Sequence, residues 1–538
     1  MKSKIGLIVG KNLLINRLNI QKGVFFLGFP YLLYLAFIIS LAYVVVEYFF
    51  YSEEQKFILQ DYYSVFLFTF YQAFLATLIS IIFGFIFAVV FYLSPINHKF
   101  ISSLLNICFI IPVIFISYGV INIFSSNGFL SDLAILIDVN YDLNIFSFFG
   151  IIFVTSYFNI AFNANFFYRK LLSIPENYLK LFKSNNISFL DAVKIPLRHY
   201  LLSGYANVVI LTFIFCIGNF TIIYLFAGSP SLSTLELAIY ESLNFKADIY
   251  SALILGIIQL FMVLILSIPF FYNNPSFNLV SSTRRSSYYP FRGNLIVYFI
   301  TFWALVFLIS PFFILFNGLA NFSFDILSSL TFYQSFINSF SVSIISLFLA
   351  LILSLSSLYL YRFMQERNIF INKYLFLSIA AMAFIPSLSL SAIIFLVNIK
   401  LNFILSNFIC VAFINSFFVT PVVFIFLLTR FLQNYQNAFK LCSLYKINPL
   451  TRFFKIDLFF IKEELLIISA AVFVLSFGDL TSVTIFNDQS FMTVPYYISQ
   501  LYSSYRYNDS FFVLSVFVLI IFFIVYLSSK FVSSHAKN

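Results

Sequence analysis

The feature that most constrains this chain is a series of apolar runs, each longer than the roughly 18 residues that cross ~30 Å of hydrocarbon as a helix. Twelve can be read: Val24–Val46, Tyr63–Leu93, Ile101–Phe124, Ile145–Phe167, Gly204–Ala227, Tyr250–Tyr272, Asn294–Phe316, Phe332–Tyr361, Tyr374–Val397, Leu401–Leu428, Leu465–Phe486 and Ser510–Ser529. Inside a bilayer every backbone N–H and C=O must be bonded within the protein, so only helices and closed barrels span it. Barrel strands are short and alternating; these runs are long and continuous. A soluble fold fails on charge as well, since 9% of the residues are charged against about 25% in soluble domains. The fold class is an all-α polytopic membrane protein with about 12 transmembrane helices.

Charge placement sets the orientation. With the N-terminus inside and twelve crossings, only Lys56, Lys246, Lys400 and Arg506 of the 30 Lys and Arg residues fall in external loops. Acidic residues run the other way, with 13 of 20 external, among them Glu53, Glu54, Asp132, Asp138 and Asp142. This positive-inside asymmetry places both termini in the cytoplasm. It also accounts for the net charge of +10 without a nucleic-acid partner. Lys2, Lys4, Lys11, Arg17 and Lys22 precede the first run, and Val45-Val46-Glu47-Tyr48 ends it. A cleaved leader would have a shorter core and small residues at its end, so this run reads as a retained helix.

Cys108, Cys216, Cys410 and Cys442 have neither redox nor metal-ligand spacing, and His98, His199 and His535 lie far apart. The nearest approach to a phosphate-binding loop, Gly6-Leu7-Ile8-Val9-Gly10-Lys11-Asn12, is one residue short and lacks the hydroxyl that would bind magnesium. No nucleophile–base pair stands out. These patterns point to no enzyme chemistry and to no cofactor held by this chain.

The chain divides into two halves. Residues 1–23 form a basic N-terminal segment, 24–272 a first six-helix module, 273–293 a polar linker with Pro275, Arg284, Arg285, Pro290 and Arg292, 294–529 a second module, and 530–538 a tail. Tyr71-Gln72 recurs as Tyr333-Gln334, and Gly218-Asn219-Phe220-Thr221 as Gly478-Asp479-Leu480-Thr481, in the same order and at nearly the same offset. That pattern points to a duplicated module. Six helices per module make the repeat parallel, with its axis along the membrane normal and a path between the halves. Asp479 lies midway along the eleventh run, Asn219 holds the matched place in the fifth, and both are candidates for the pathway or its gate. A charge at such depth is costly and should face protein or water.

Each module also carries a long basic cytoplasmic loop before its fifth helix, at about 168–203 and 429–464. The first contains Ser173-Ile174-Pro175-Glu176 and Val193-Lys194-Ile195-Pro196; the second contains Asn448-Pro449-Leu450-Thr451 and Lys455-Ile456-Asp457-Leu458. Apolar residues at three- and four-residue spacing, interrupted by Asn or Pro, give both a helix–break–helix character. Basic amphipathic helices can rest on anionic lipid. Repetition at equivalent places in both halves points instead to docking on two copies of one cytoplasmic partner.

With these loops the chain resembles the permeases of binding-protein-dependent ABC importers, which have type I permease modules and a coupling loop with an Ile-Pro start and an Ile-x-Leu-Pro-like end. The resemblance spans essentially the whole chain. It is closest to the fused two-module permease of thiamine and thiamine-diphosphate importers, on Ser233–Tyr240, Ser476–Thr481, Phe491–Tyr497 and Ser503-Ser504-Tyr505-Arg506. The family's Glu-Ala-Ala triplet is absent from both loops. Its following glycine is replaced by Asn186 in the first and by Tyr445 or Lys446 in the second, where Asp457-Leu458 also stands in place of Leu-Pro.

The resemblance implies a permease subunit in the bacterial cytoplasmic membrane. Its partners would be two copies of an ABC ATPase, which bind the ATP and magnesium, and a periplasmic or lipid-anchored binding protein. Pro175, Asn186, Ile187, Phe189 and Pro196, with Tyr445, Lys446, Asn448 and Pro449, would make the ATPase contacts. Thiamine or its phosphates would be the cargo. An iron(III) importer permease shares the same fold and loops, and an ion-coupled twelve-helix secondary transporter shares the parallel repeat.

Overall fold

The computed structural model describes residues 27–50, 57–126, 128–141, 143–174, 177, 180, 184–185, 204–227, 232–272, 295–321, 324–366, 372–402, 405–445, 447, 449–488 and 491–535. Every regular element among them is helical, as the backbone accounting in hydrocarbon requires. The first half runs through α1 (Leu27–Phe50), α2 (Tyr63–Leu93), α3 (His98–Ile110), α4 (Val113–Phe124), α5 (Phe129–Leu136), α6 (Phe148–Leu172), α7 (Tyr205–Ile217), α8 (Phe220–Phe226), α9 (Leu235–Asn244) and α10 (Ile249–Tyr272). The second half repeats the order with α11 (Leu295–Ile309), α12 (Ile314–Ala320), α13 (Phe324–Ser328), α14 (Leu330–Glu366), α15 (Asn372–Met382), α16 (Ser387–Lys400), α17 (Asn407–Leu444), α18 (Pro449–Arg452), α19 (Lys462–Phe477), α20 (Thr481–Phe486), α21 (Val494–Ser503) and α22 (Tyr507–His535).

Nine described helices are long and apolar enough to cross a membrane, or eleven if each of two bent pairs is one span. Among the described residues, each of the twelve runs is mainly helical. The eleventh falls short of a span because α19 has only 16 residues, with Lys462, Glu463 and Glu464 at its start, and the chain breaks before α20. The protein is a multi-pass helical membrane protein.

The breaks follow from local chemistry. Proline lacks an N–H and crowds the preceding turn. Pro112 separates α3 from α4, and Pro386 separates α15 from α16 with a 90° bend. In the fifth and eleventh runs, Gly218-Asn219 and Gly478-Asp479-Leu480 divide α7 from α8, at 45°, and α19 from α20. A Cβ on Gly478 would lie 2.4 Å from that of Pro112. Glycine is therefore required where the eleventh-run break of one half meets the third-run break of the other.

The first helix of each half leaves its own half. On α1, the Tyr31 N–H donates to Ser356 Oγ (3.1 Å), and Tyr31 Oη lies 2.7 Å from Ser378 Oγ. The Tyr34 ring packs on Phe417 at 5.5 Å. All of these partners are in α14, α15 or α17. Conversely, α11 packs on the first half: Tyr157 Oη donates to the Leu308 carbonyl (2.6 Å), with Phe307 4.9 Å from the Tyr157 ring. The halves are joined by exchanged helices as well as by the faces between them. The repeated Tyr-Gln pair is less equivalent than its letters suggest, because Gln72 is buried and donates to the Cys216 carbonyl (2.7 Å) whereas Gln334 is exposed.

Candidate functional site

Interrupting a helix inside a membrane strands carbonyls before the gap and N–H groups after it. Both central breaks meet this need with side chains in matched places. Before the fifth-run gap, Gln72 occupies the Cys216 carbonyl and Asn159 Nδ2 reaches Cys216 Sγ (3.3 Å). Before the eleventh-run gap, Asn415 Nδ2 donates to Ser476 Oγ (3.1 Å) and to the Ser476 carbonyl (3.4 Å).

After the gaps stand the two residues singled out from the repeat. Asn219 Oδ1 accepts from the Ile222 N–H at 3.5 Å and caps α8. Asp479 accepts from the Thr481 N–H (3.0 Å), the Ser482 N–H (3.3 Å) and Ser482 Oγ, and so caps α20. Each side chain turns onto the start of its own half-helix.

A second carboxylate, which the sequence reading left in an external loop, is fully buried. Glu236 Oε1 accepts from Gln259 Nε2 (3.3 Å), and Gln259 Oε1 accepts from Ser389 Oγ (3.0 Å). This chain of polar groups runs from α9 through α10 to α16 and so crosses from one half to the other. Glu236 Oε2 has no hydrogen-bond partner among the described residues. Beside it, the rings of Phe220, Tyr224 and Tyr240 lie 5.3–5.5 Å apart on α8 and α9. Glu236 lies outside the twelve apolar runs, and only tertiary packing buries it.

The second long basic segment shows a helix–break–helix form, with its first helix longer than expected. Residues 429–444 continue α17, since neither Gly nor Pro interrupts them. The helix stops before Pro449, and the Ile447 N–H returns to the Cys442 carbonyl (3.1 Å), a Schellman-type closure. Tyr445 projects from this turn with 77% exposure, and Pro449 opens α18. The chain continues through a π-helical turn (Phe453–Asp457) and Leu458–Phe460 before α19 begins. Phe454, Phe459 and Phe460 are also exposed. Lys446 and Asn448 lie outside the described residues, as do Pro175, Asn186, Ile187, Phe189 and Pro196 of the first segment.

Asp457 anchors this second segment. Its Oδ2 lies 2.5 Å from Arg362 Nη1 at the end of α14, and both side chains are 4% exposed. Arg452 Nε lies 3.8 Å from Oδ1. The guanidinium of Arg362 also lies over the rings of Phe431 (4.8 Å) and Tyr359 (5.3 Å).

These features define a polytopic helical membrane protein of two like halves, with paired polar breaks at its centre and an exposed aromatic turn at one end. The chain is similar along most of its length to permease subunits. The thiamine transport system permease protein ThiP of Haemophilus influenzae is 29% identical over 463 residues, 82% of this chain and 84% of that protein. The proteins of the same name from Salmonella typhimurium and Escherichia coli are 24% and 23% identical, over 87% and 82% of this chain and 89% and 84% of their own. No family model matches the chain, and no solved structure matches it.

Proposed function

We propose that this chain is the transmembrane permease subunit of an ATP-driven ABC importer that moves thiamine, or its phosphates, into the cytoplasm. The observation that carries this reading is the extent of the similarity: relatives named as thiamine transport permeases align over 82% of the chain, which takes in parts of both halves. Hydrolysis of ATP then belongs to two copies of a separate ATPase, one under each coupling segment. Cargo arrives from a binding protein on the outer face. The chain lies in the bacterial cytoplasmic membrane with both termini inside. Opening between the halves carries the cargo past the breaks at Gly218-Asn219 and Gly478-Asp479. The cation of thiamine is favoured there by the Asp479 carboxylate and by aromatic faces.

The test is uptake in a thiamine auxotroph that lacks its own importer permease. Expression of this chain together with an ABC ATPase and a binding protein of a thiamine importer should restore growth on low external thiamine. Iron(III) uptake without thiamine uptake would overturn the cargo and leave the permease class intact.

A further inference from the structure

We propose that Arg362 and Asp457 form a charge-locked strut that transmits motion from the second coupling segment to the outer face of the membrane. The proposal rests on the reading that the segment around Tyr445 and Pro449 meets an ATPase.

Three elements converge on this ion pair. Arg362 comes from the last turns of α14, Phe431 under its guanidinium comes from α17, and Asp457 closes the π-helical turn. The wide turn matters. Residues five apart point about 140° away from each other on an α-helix, but in an i→i+5 turn they fall on one side. Arg452 is thereby brought to the same carboxylate at 3.8 Å. Apolar packing tolerates sliding, whereas separating a buried ion pair leaves charges uncompensated. The coupling segment and the end of α14 therefore move together.

The other end of α14 shows where that motion goes. α14 has 37 residues, about 55 Å at 1.5 Å per residue, and so outreaches a ~30 Å hydrocarbon core. Near its far end, Ser339 Oγ accepts from the Val494 N–H (2.8 Å), and Asn338 Nδ2 donates to the Met492 carbonyl (3.0 Å). Both bonds fall at the start of α21, which follows α20. Along its length, Ser346 and Ser354 donate to the Ala412 and Thr420 carbonyls of α17 (3.1 and 3.0 Å). These bonds hold the two long helices as one body.

At the 260–262-residue offset of the repeat, Asp457 falls on Ile195-Pro196-Leu197, which carries no charge.

The test is the number of ATP molecules hydrolysed per thiamine transported, measured in proteoliposomes holding the complete importer. Arg362→Met and Asp457→Asn should each raise that ratio about tenfold, with basal hydrolysis per assembled complex unchanged, and the reversed pair Arg362→Asp/Asp457→Arg should restore it. Lower complex yield with an unchanged ratio would reduce the pair to a structural role and overturn the proposal. Should neither neutral variant assemble, Arg362→Lys keeps the charge without the fork; a raised ratio supports the strut and an unchanged one overturns it. Absence of ATP-driven thiamine uptake by the unaltered complex would overturn the functional reading itself.

Discussion

At the residue scale, Asp479 and Asn219 hold capping places that the proposed pathway would also use. Each caps a half-helix that would otherwise start with open N–H groups. Asn and Asp cap about equally well, whereas Ala in their place costs about 0.5–2 kcal/mol. Asp479→Asn should therefore leave assembly and basal ATP hydrolysis intact. It removes the charge, and a contact of about 1 kcal/mol with a thiazolium cation corresponds to about a fivefold loss of thiamine uptake. Asp479→Ala should also lower the thermal midpoint of the purified complex. Unchanged uptake by the Asn variant would limit Asp479 to its cap. The matched Gly-Asn and Gly-Asp pairs were legible in the sequence because a polar pair interrupts an apolar run at a repeated offset. Their supporting residues were not: Gln72, Asn159 and Asn415 sit singly within other runs, and only the packed structure brings them to Cys216 and Ser476.

Among the elements, the second coupling segment separates what pattern can show from what it cannot. Its break before Pro449 follows from proline's effect on the preceding residue. The continuation of α17 to Leu444 hid behind the basic residues that made the stretch look like loop. The ion pair that holds the segment joins residues 95 apart, a distance over which neither periodicity nor spacing carries information. Interfaces draw most of their energy from a few buried aromatic and apolar anchors, while exposed ion pairs contribute about 0–1 kcal/mol. Tyr445→Asp should consequently weaken ATPase binding to the purified chain by about tenfold or more, and Lys455→Ala, at an exposed position, by about twofold or less. Equal, small effects in a binding titration would place the ATPase contact elsewhere.

At the scale of the whole molecule, the all-helical, many-span architecture was legible because bilayer thickness fixes span length. The exchange of α1 and α11 between halves was not, since a lipid-length helix bears no mark of the bundle it joins. Orientation can be read directly, because all four cysteines are buried and added ones report alone. Cysteine at Lys246, an exposed residue, should react with an impermeant thiol reagent in intact cells, and cysteine at Tyr445 only after permeabilisation; the reverse pattern would invert the topology. The central claim is that this chain moves thiamine at the expense of ATP hydrolysed by another subunit. Its most direct test is thiamine uptake into proteoliposomes containing the chain, its ATPase and its binding protein, with ATP and an ion gradient supplied separately. The account predicts uptake that needs ATP and all three proteins and persists when the gradient is collapsed. Uptake by the chain alone, driven by the gradient without ATP, would contradict it.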